Sequence, residues 1–258
     1  TGDRSYGTFA MQCEGAVTCT DPRDSPPAAV PDRSALRELG QSRTLVVGPD
    51  EEAAYETIQA AIDDANGGDT IEVRPGEYGG FEVNKDVTIT TTGAVIRSDG
   101  TLQDIEIVDG AAPVIEGFTL RADAIRAPSG GVWTLRDVTG SGTSVTASNA
   151  GDWRIADSEL GVVYATDTTG GWTITDSTVE QVWADGTTGD WHIAASRVGL
   201  SVFADGSTGD WTIRGSRLGP TANPGTVVLT APDTEGDWTV ADTEIIGTRA
   251  TATDTRRS

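Results

Sequence analysis

Gly189-Asp190-Trp191-His192-Ile193 is followed one repeat later by Gly209-Asp210-Trp211-Thr212-Ile213. The same phrase stands earlier at Gly151-Asp152-Trp153-Arg154-Ile155 and, with glycine for aspartate, at Gly170-Gly171-Trp172-Thr173-Ile174. It returns at Gly236-Asp237-Trp238-Thr239-Val240. With Trp133, these tryptophans are spaced by 20, 19, 19, 20 and 27 residues. A fixed repeat of this length means a solenoid, because one coil cannot bury its apolar face without a neighbour above and below it.

Within each phrase, tryptophan and the β-branched residue two positions on share one face of a strand, and Arg154, Thr173, His192, Thr212 and Thr239 take the other. The first face is apolar in every coil, so it is expected inside. The indoles then stack at about 4.8 Å along the axis. Each buries roughly 150–250 Å², worth about 4–6 kcal/mol gross as an upper bound. The alternative is an exposed aromatic strip that binds sugar rings.

Upstream, Ile58, Ala61, Ile62 and Ala65 fall on one helical face, and Asn66-Gly67-Gly68 ends that helix. Asp69-Thr70-Ile71-Glu72-Val73 then alternates as a strand, and Arg74-Pro75-Gly76-Glu77 turns. Thr57-Ile58-Gln59-Ala60-Ala61-Ile62, Gly68-Asp69-Thr70-Ile71 and Pro75-Gly76-Glu77-Tyr78 together resemble the entry to pectin-lyase-like right-handed parallel β-helices, over roughly Tyr55 to Gly247. The expected fold is therefore all-β: a single-stranded right-handed parallel β-helix of about seven to nine coils, with an N-terminal amphipathic capping helix. Residues 1–50 read as an irregular N-terminal arm, with Thr44-Leu45-Val46-Val47 a short strand candidate. Residues 51–247 read as the capped β-helix and 248–258 as a polar C-terminal tail. Members of that superfamily include polysaccharide lyases, hydrolases, tailspikes and adhesins, so the resemblance leaves the chemistry open.

A second column stands eight residues before successive tryptophans: Ile125, Val145, Tyr164, Trp183 and Phe203, with Leu229 nine before Trp238. Beside it run Val163, Val182, Val202 and Val228, and Ala165, Ala184 and Ala204. Valine and alanine share one face, so the aromatics take the other. The expectation is that the valine–alanine face is inside. Tyr164, Trp183 and Phe203 then form an exposed ladder, flanked by Gln181, Asp185, Ser201 and Asp205, as a contact site for a glycan or another subunit. The opposite assignment leaves the valines exposed.

The chain carries 40 acidic and 18 basic side chains, a formal charge of −22, and Lys85 is its one lysine. This pattern resembles the acidic, lysine-poor proteins of extremely halophilic archaea, in which molar salt screens the self-repulsion. With no basic patch to release counterions, nucleic acid and anionic membranes are poor partners. No apolar run approaches the roughly 20 residues of a membrane helix. The chain opens at Thr1 with no signal-like segment visible, as a processed protein or a fragment would. Cys13 and Cys19 are its two cysteines. No histidine or third cysteine lies near them to complete a metal site, so a disulfide and an extracellular or cell-surface location are expected, with two free thiols the alternative.

Asp152, Asp190 and Asp210 line one edge, and such stacked carboxylates are candidates to share a calcium ion; their ordinary role is to satisfy turn N–H groups. No other cofactor is expected. The polygalacturonase motifs that the resemblance would bring are missing from the coils. Arg197 and Arg217, at matching positions one coil apart, are the candidates for a lyase-type base, and together with Glu159 and Thr178 they look more like a charge ladder. His192, the one histidine, sits mid-strand with no counterpart in neighbouring coils. The leading expectation is a non-enzymatic extracellular structural or adhesive solenoid (a cell-surface, filament or virion component) that self-associates or binds surface glycans. The alternative is a polysaccharide lyase or glycoside hydrolase.

Overall fold

The computed structural model describes residues 42–97, 105–121, 124–128, 131–220, 227–247 and 249–254. The expected arm, apart from its last residues, and the Cys13–Cys19 pair lie outside the described residues. The rest is an all-β right-handed parallel β-helix with one short helix, as expected. A ten-stranded parallel sheet runs its length, from Thr44–Val47 to Trp238–Ala241. Every step of the sheet moves one coil along the chain in register: Trp133, Trp153, Trp172, Trp191, Trp211 and Trp238 are successive partners.

The paired strands extend beyond the 51–247 span at both ends. Thr44–Val47 pairs with Thr70–Val73, and Arg249–Asp254 pairs with Val227–Thr234. The first is an isolated four-residue strand with no repeat signal before it, and the second has no large apolar residue.

The remaining strands form one branched sheet of fifteen members among the described residues. Its branching reflects a three-sided coil. In early coils two short strands follow the first-sheet strand, as in Thr139–Gly140 and Ser144–Thr146. Both pair with the single longer strand Glu159–Tyr164 of the next coil. Thr178–Trp183 and Arg197–Phe203 are likewise continuous, and the path divides again at Arg217–Leu218 and Val227–Thr234. Three consecutive coils therefore present one long strand each, with alternation broken between the buried residues Leu160 and Val163, Val179 and Val182, and Val198 and Val202.

Helix Ile58–Asp64 covers the first coils, burying Ile58, Ala61 and Ile62. Thr57 caps its start by accepting the Ala60 N–H through Oγ1 at 3.2 Å. At the other end the Lys85 ammonium donates to the carbonyls of Ile62, Asp63 and Ala65, each at 2.8 Å. The chain's one lysine thus sits where a cation complements the helix dipole and its unpaired carbonyls. Asp69 joins this cap to the first sheet. Its carboxylate accepts from the backbone N–H groups of Arg43 and Asn66 (2.7 and 2.8 Å) and from the Arg43 guanidinium at 3.0 and 3.1 Å. Burial pushes the Asp69 carboxyl up, but these hydrogen bonds and the Arg43 charge outweigh it and hold it below the usual carboxylate range.

Three columns of small residues account for the regular coils. Gly151, Gly170, Gly189, Gly209 and Gly236 stack where successive turns nearly touch: a Cβ on Gly189 falls 2.1 Å from the Gly170 carbonyl oxygen, and one on Gly209 falls 2.2 Å from that of Gly189. The glycine of Gly-Asp-Trp is thus demanded by backbone approach between coils and only secondarily by its own turn. The corner after each tryptophan strand holds a left-handed residue, with φ from 49° to 59°, at Asp137, Asp157, Asp176, Ala195, Gly215 and Asp242. Aspartate and glycine tolerate that conformation and alanine resists it. The third column is one that the repeat reading overlooked. The N–H groups of Val138, Ser158, Ser177 and Ser196 donate to the hydroxyls of Ser158, Ser177, Ser196 and Ser216 in the next coil, at 3.1–3.2 Å. Each of these serines donates in turn to the carbonyl two residues back in its own coil. Every corner N–H that the coil geometry buries, at a cost of about 1–3 kcal/mol if unpaired, is answered by the next coil.

Two outcomes test this account. Gly189→Ala lowers stability by about 3 kcal/mol, since backbone must move to admit the methyl group; Gly67→Ala, whose added methyl meets nothing within 4 Å, changes the urea midpoint little. A depressed carboxyl stabilises the fold above its unfolded pKa of about 3.9 and loses that contribution as pH falls through the lower folded value. The wild-type urea midpoint therefore drops more than that of Asp69→Asn as pH is lowered from neutral to below 4.

Candidate functional site: an aromatic ladder on the outer face

The six tryptophans of the repeat form an internal spine. Trp133, Trp153, Trp172, Trp191 and Trp211 are at most 3% exposed, with ring centroids 4.8–5.2 Å apart and planes within 3° of parallel. Trp238 in the last coil stacks on Trp211 at 5.5 Å but is 40% exposed. The five buried indole N–H groups have no hydrogen-bond partner in the protein. Each such donor costs about 1–3 kcal/mol, less than the roughly 4–6 kcal/mol gross from burying the ring. The column is favourable despite this cost, and it offers nothing to a ligand.

The outer face differs. In the continuous strands Glu159–Tyr164, Thr178–Trp183 and Arg197–Phe203, Val163, Val182 and Val202 are fully buried, and so are Ala165, Ala184 and Ala204 just beyond. Tyr164, Trp183 and Phe203 are mutual register partners on the opposite side. Tyr164 is 38% exposed, and Trp183 stacks on Phe203 with centroids 4.3 Å apart at 23°. Gln181 and Ser201 lie alongside, joined by a hydrogen bond of 2.7 Å from Gln181 Nε2 to Ser201 Oγ. The valine–alanine face is inside, as expected; on the outward side Tyr164 is exposed, Trp183 and Phe203 are half-buried and Ser201 is buried.

The membership of the column needs correction. Ile125, Val145 and Leu229 belong to the buried column with Val163, Val182 and Val202, whereas Thr146 and Thr230 occupy the aromatic position in the coils before and after. Counting eight residues back from each tryptophan fails because the returning turn changes length. Val145 lies eight residues before Trp153, but Val163 lies nine before Trp172, with Thr169 the added residue. The outward rings, one exposed and two half-buried, therefore span three coils, bracketed by threonines.

Asp185 and Asp205 follow Trp183 and Phe203 by two residues and share their outward side. Asp185 Oδ1 accepts the Asp205 N–H at 2.8 Å. Partial burial pushes the Asp185 carboxyl above the usual range; the hydrogen bond from Asp205 opposes this, and the negative charges of Asp205 and Asp167 add to it. The edge of the ladder is thus a crowded line of carboxylates.

The other candidates are structural in their surroundings. Asp152 Oδ1 accepts the Gly171 N–H at 2.7 Å, Asp190 Oδ1 that of Asp210 at 2.8 Å, and Asp210 Oδ1 that of Asp237 at 2.7 Å. Each carboxylate caps the same turn one coil on. Among the described residues no three histidine, cysteine, aspartate or glutamate side chains gather in a way that could hold a metal ion. Asp190, His192 and Asp210 do line one shallow depression of about 370 Å³ where Gly171 leaves a gap in the aspartate column. His192 stands there between Thr173 and Thr212 in register. Glu159, Thr178, Arg197, Arg217 and Glu244 form one column, and Arg217 Nε lies 3.4 Å from Glu244. Arg197 and Arg217 thus stand side by side in a ladder of mixed charge, with Glu159 and Glu244 toward its two ends, away from Phe203.

Removing an inner ring and an outer ring separates the two columns: Trp172→Ala costs about 3–5 kcal/mol and Trp183→Ala about 1 kcal/mol, read as shifts in the urea midpoint.

No family profile and no curated protein matches the sequence. Among solved structures the chain is similar to the crystal structure of pectate lyase Pel9A, at 12% identity and a TM-score of 0.39, covering 84% of this chain and 81% of that one.

Proposed function

We propose that this chain is a non-catalytic glycan-binding β-solenoid of the cell surface or extracellular space, and that Tyr164, Trp183 and Phe203 are its contact strip. One observation carries the reading. Three aromatic rings stand in register on the outer face of strands whose inner face is wholly apolar and buried, so packing does not require them. A soluble protein that keeps a row of large rings at its surface offers a contact site. The apolar face of a pyranose is a natural partner for such a row, because lying across the outward ring edges buries its C–H groups while the hydroxyls stay in water. The ladder runs along the solenoid axis, one ring per coil, and thus suits an extended chain of sugars better than a compact ligand. The charge of −22 fits an environment of high salt, in which self-repulsion is screened.

The test is binding of a glycan array at molar salt by wild type, Trp183→Ala and Phe203→Ala. Loss of about tenfold in affinity, the size of one aromatic contact, is expected for each variant with the fold intact by circular dichroism. Equal binding by Trp183→Ala and wild type removes the strip from the site. Concentration-dependent mass in light scattering that Trp183→Ala abolishes assigns the strip to self-association instead. Accumulation of unsaturated or newly reducing sugars, abolished by Arg197→Ala or Arg217→Ala, establishes the enzymatic alternative.

A further inference from the structure

We infer that the strip selects glycans bearing free amino groups and rejects polyuronates. This rests on the reading of Tyr164, Trp183 and Phe203 as a glycan strip and adds the chemical class of its ligand. The three strands that carry the ladder hold one basic side chain, Arg197, at the opposite end of its strand from Phe203. At the ladder's own end the charges are all negative. Asp185 and Asp205 lie on the outward side two residues beyond Trp183 and Phe203, and the 2.8 Å hydrogen bond from the Asp205 N–H fixes the Asp185 carboxylate over the next coil. Asp167 leans the same way: its Oδ1 is 2.5 Å from where a Cβ on Gly186 would sit. Glycine at 186 is therefore what admits a third carboxylate to this edge, and the φ of 66° there suits glycine too.

A sugar lying across the outer edges of Trp183 and Phe203, whose facing sides are stacked on each other, places its substituents beside these carboxylates. An ammonium there meets the line of carboxylates, which attracts it. A uronate carboxylate meets three like charges on a chain that is already strongly negative, which opposes binding. Half-burial of Asp185 strengthens both effects, since less water screens the charge.

Calorimetry or affinity electrophoresis with oligomers of equal length tests the inference: glucosamine, its N-acetylated form and galacturonate, in low and in molar salt at weakly acidic pH. The glucosamine oligomer is expected to bind roughly fivefold more tightly than the N-acetylated form, as one exposed charge pair would give. Galacturonate is expected to bind least in low salt. The preference shrinks in molar salt, where the Debye length falls to about 3 Å. In Asp185→Asn/Asp205→Asn, which keeps the Oδ1 acceptor, the glucosamine affinity drops toward that of the N-acetylated form. Equal affinity for the two amino-sugar forms, or galacturonate binding at least as well as either, overturns the inference while the glycan strip stands. Failure of all three oligomers, together with no binding on the neutral glycan array, overturns the strip itself.

Discussion

The separation of about 5 Å between successive coils governs the whole molecule. Parallel strand pairing sets it, and every group on the path must repeat at that distance or tolerate a neighbour there. Indoles satisfy it by stacking flat, at 4.8–5.5 Å. Turn backbones satisfy it only where no Cβ intervenes, which is why glycine stands in column from Gly151 to Gly236. Corner N–H groups satisfy it through a serine hydroxyl one coil on. Turn aspartates do the same at Asp152, Asp190 and Asp210. A polar group at one corner is thus completed by the next coil and not within its own, which gives the solenoid its cooperativity.

This spacing gives the two aromatic columns opposite roles. Trp153, Trp172, Trp191 and Trp211 are held on both faces by other rings, and the orphan N–H groups of the inner column are tolerated because ring burial outweighs them. Outer rings have one face or edge in water. They occur in the three coils whose second and third sides are joined in one strand, Glu159–Tyr164, Thr178–Trp183 and Arg197–Phe203, each with a break of alternation inside it. Threonine replaces them in the coils on either side, so the strip has a defined length and lies beside a line of carboxylates.

The N-terminal cap applies the same accounting at a boundary. The first coils have a helix above them in place of another coil, and helix ends carry unpaired groups. Thr57 answers an N–H at one end and Lys85 three carbonyls at the other. Asp69 binds the strand before the helix to the loop after it. In a chain with this acidic surplus, its single lysine is spent on holding the cap.

The sequence alone determined the solenoid, the inward spine and the capping helix, because each follows from a period: tryptophan every coil, alternation within a strand, and apolar residues at helical spacing. At Tyr164, Trp183 and Phe203 alternation separated two faces and left either as the inner one; burial of Val163, Val182 and Val202 decided between them. Tertiary structure decided what period cannot reach. From Thr169 onward the returning turn is one residue longer, so eight residues before tryptophan is a buried position at Ile125 and Val145 and an outward one in the next three coils, because register is set by hydrogen bonding between coils and not by distance from the next tryptophan. Arg249–Asp254, which reads as a polar tail, is a strand only through its partner Val227–Thr234. The serine column, and the reason Gly-Asp-Trp begins with glycine, depend on contacts between residues about 20 positions apart, where the deciding quantity is a separation in space that no single coil contains.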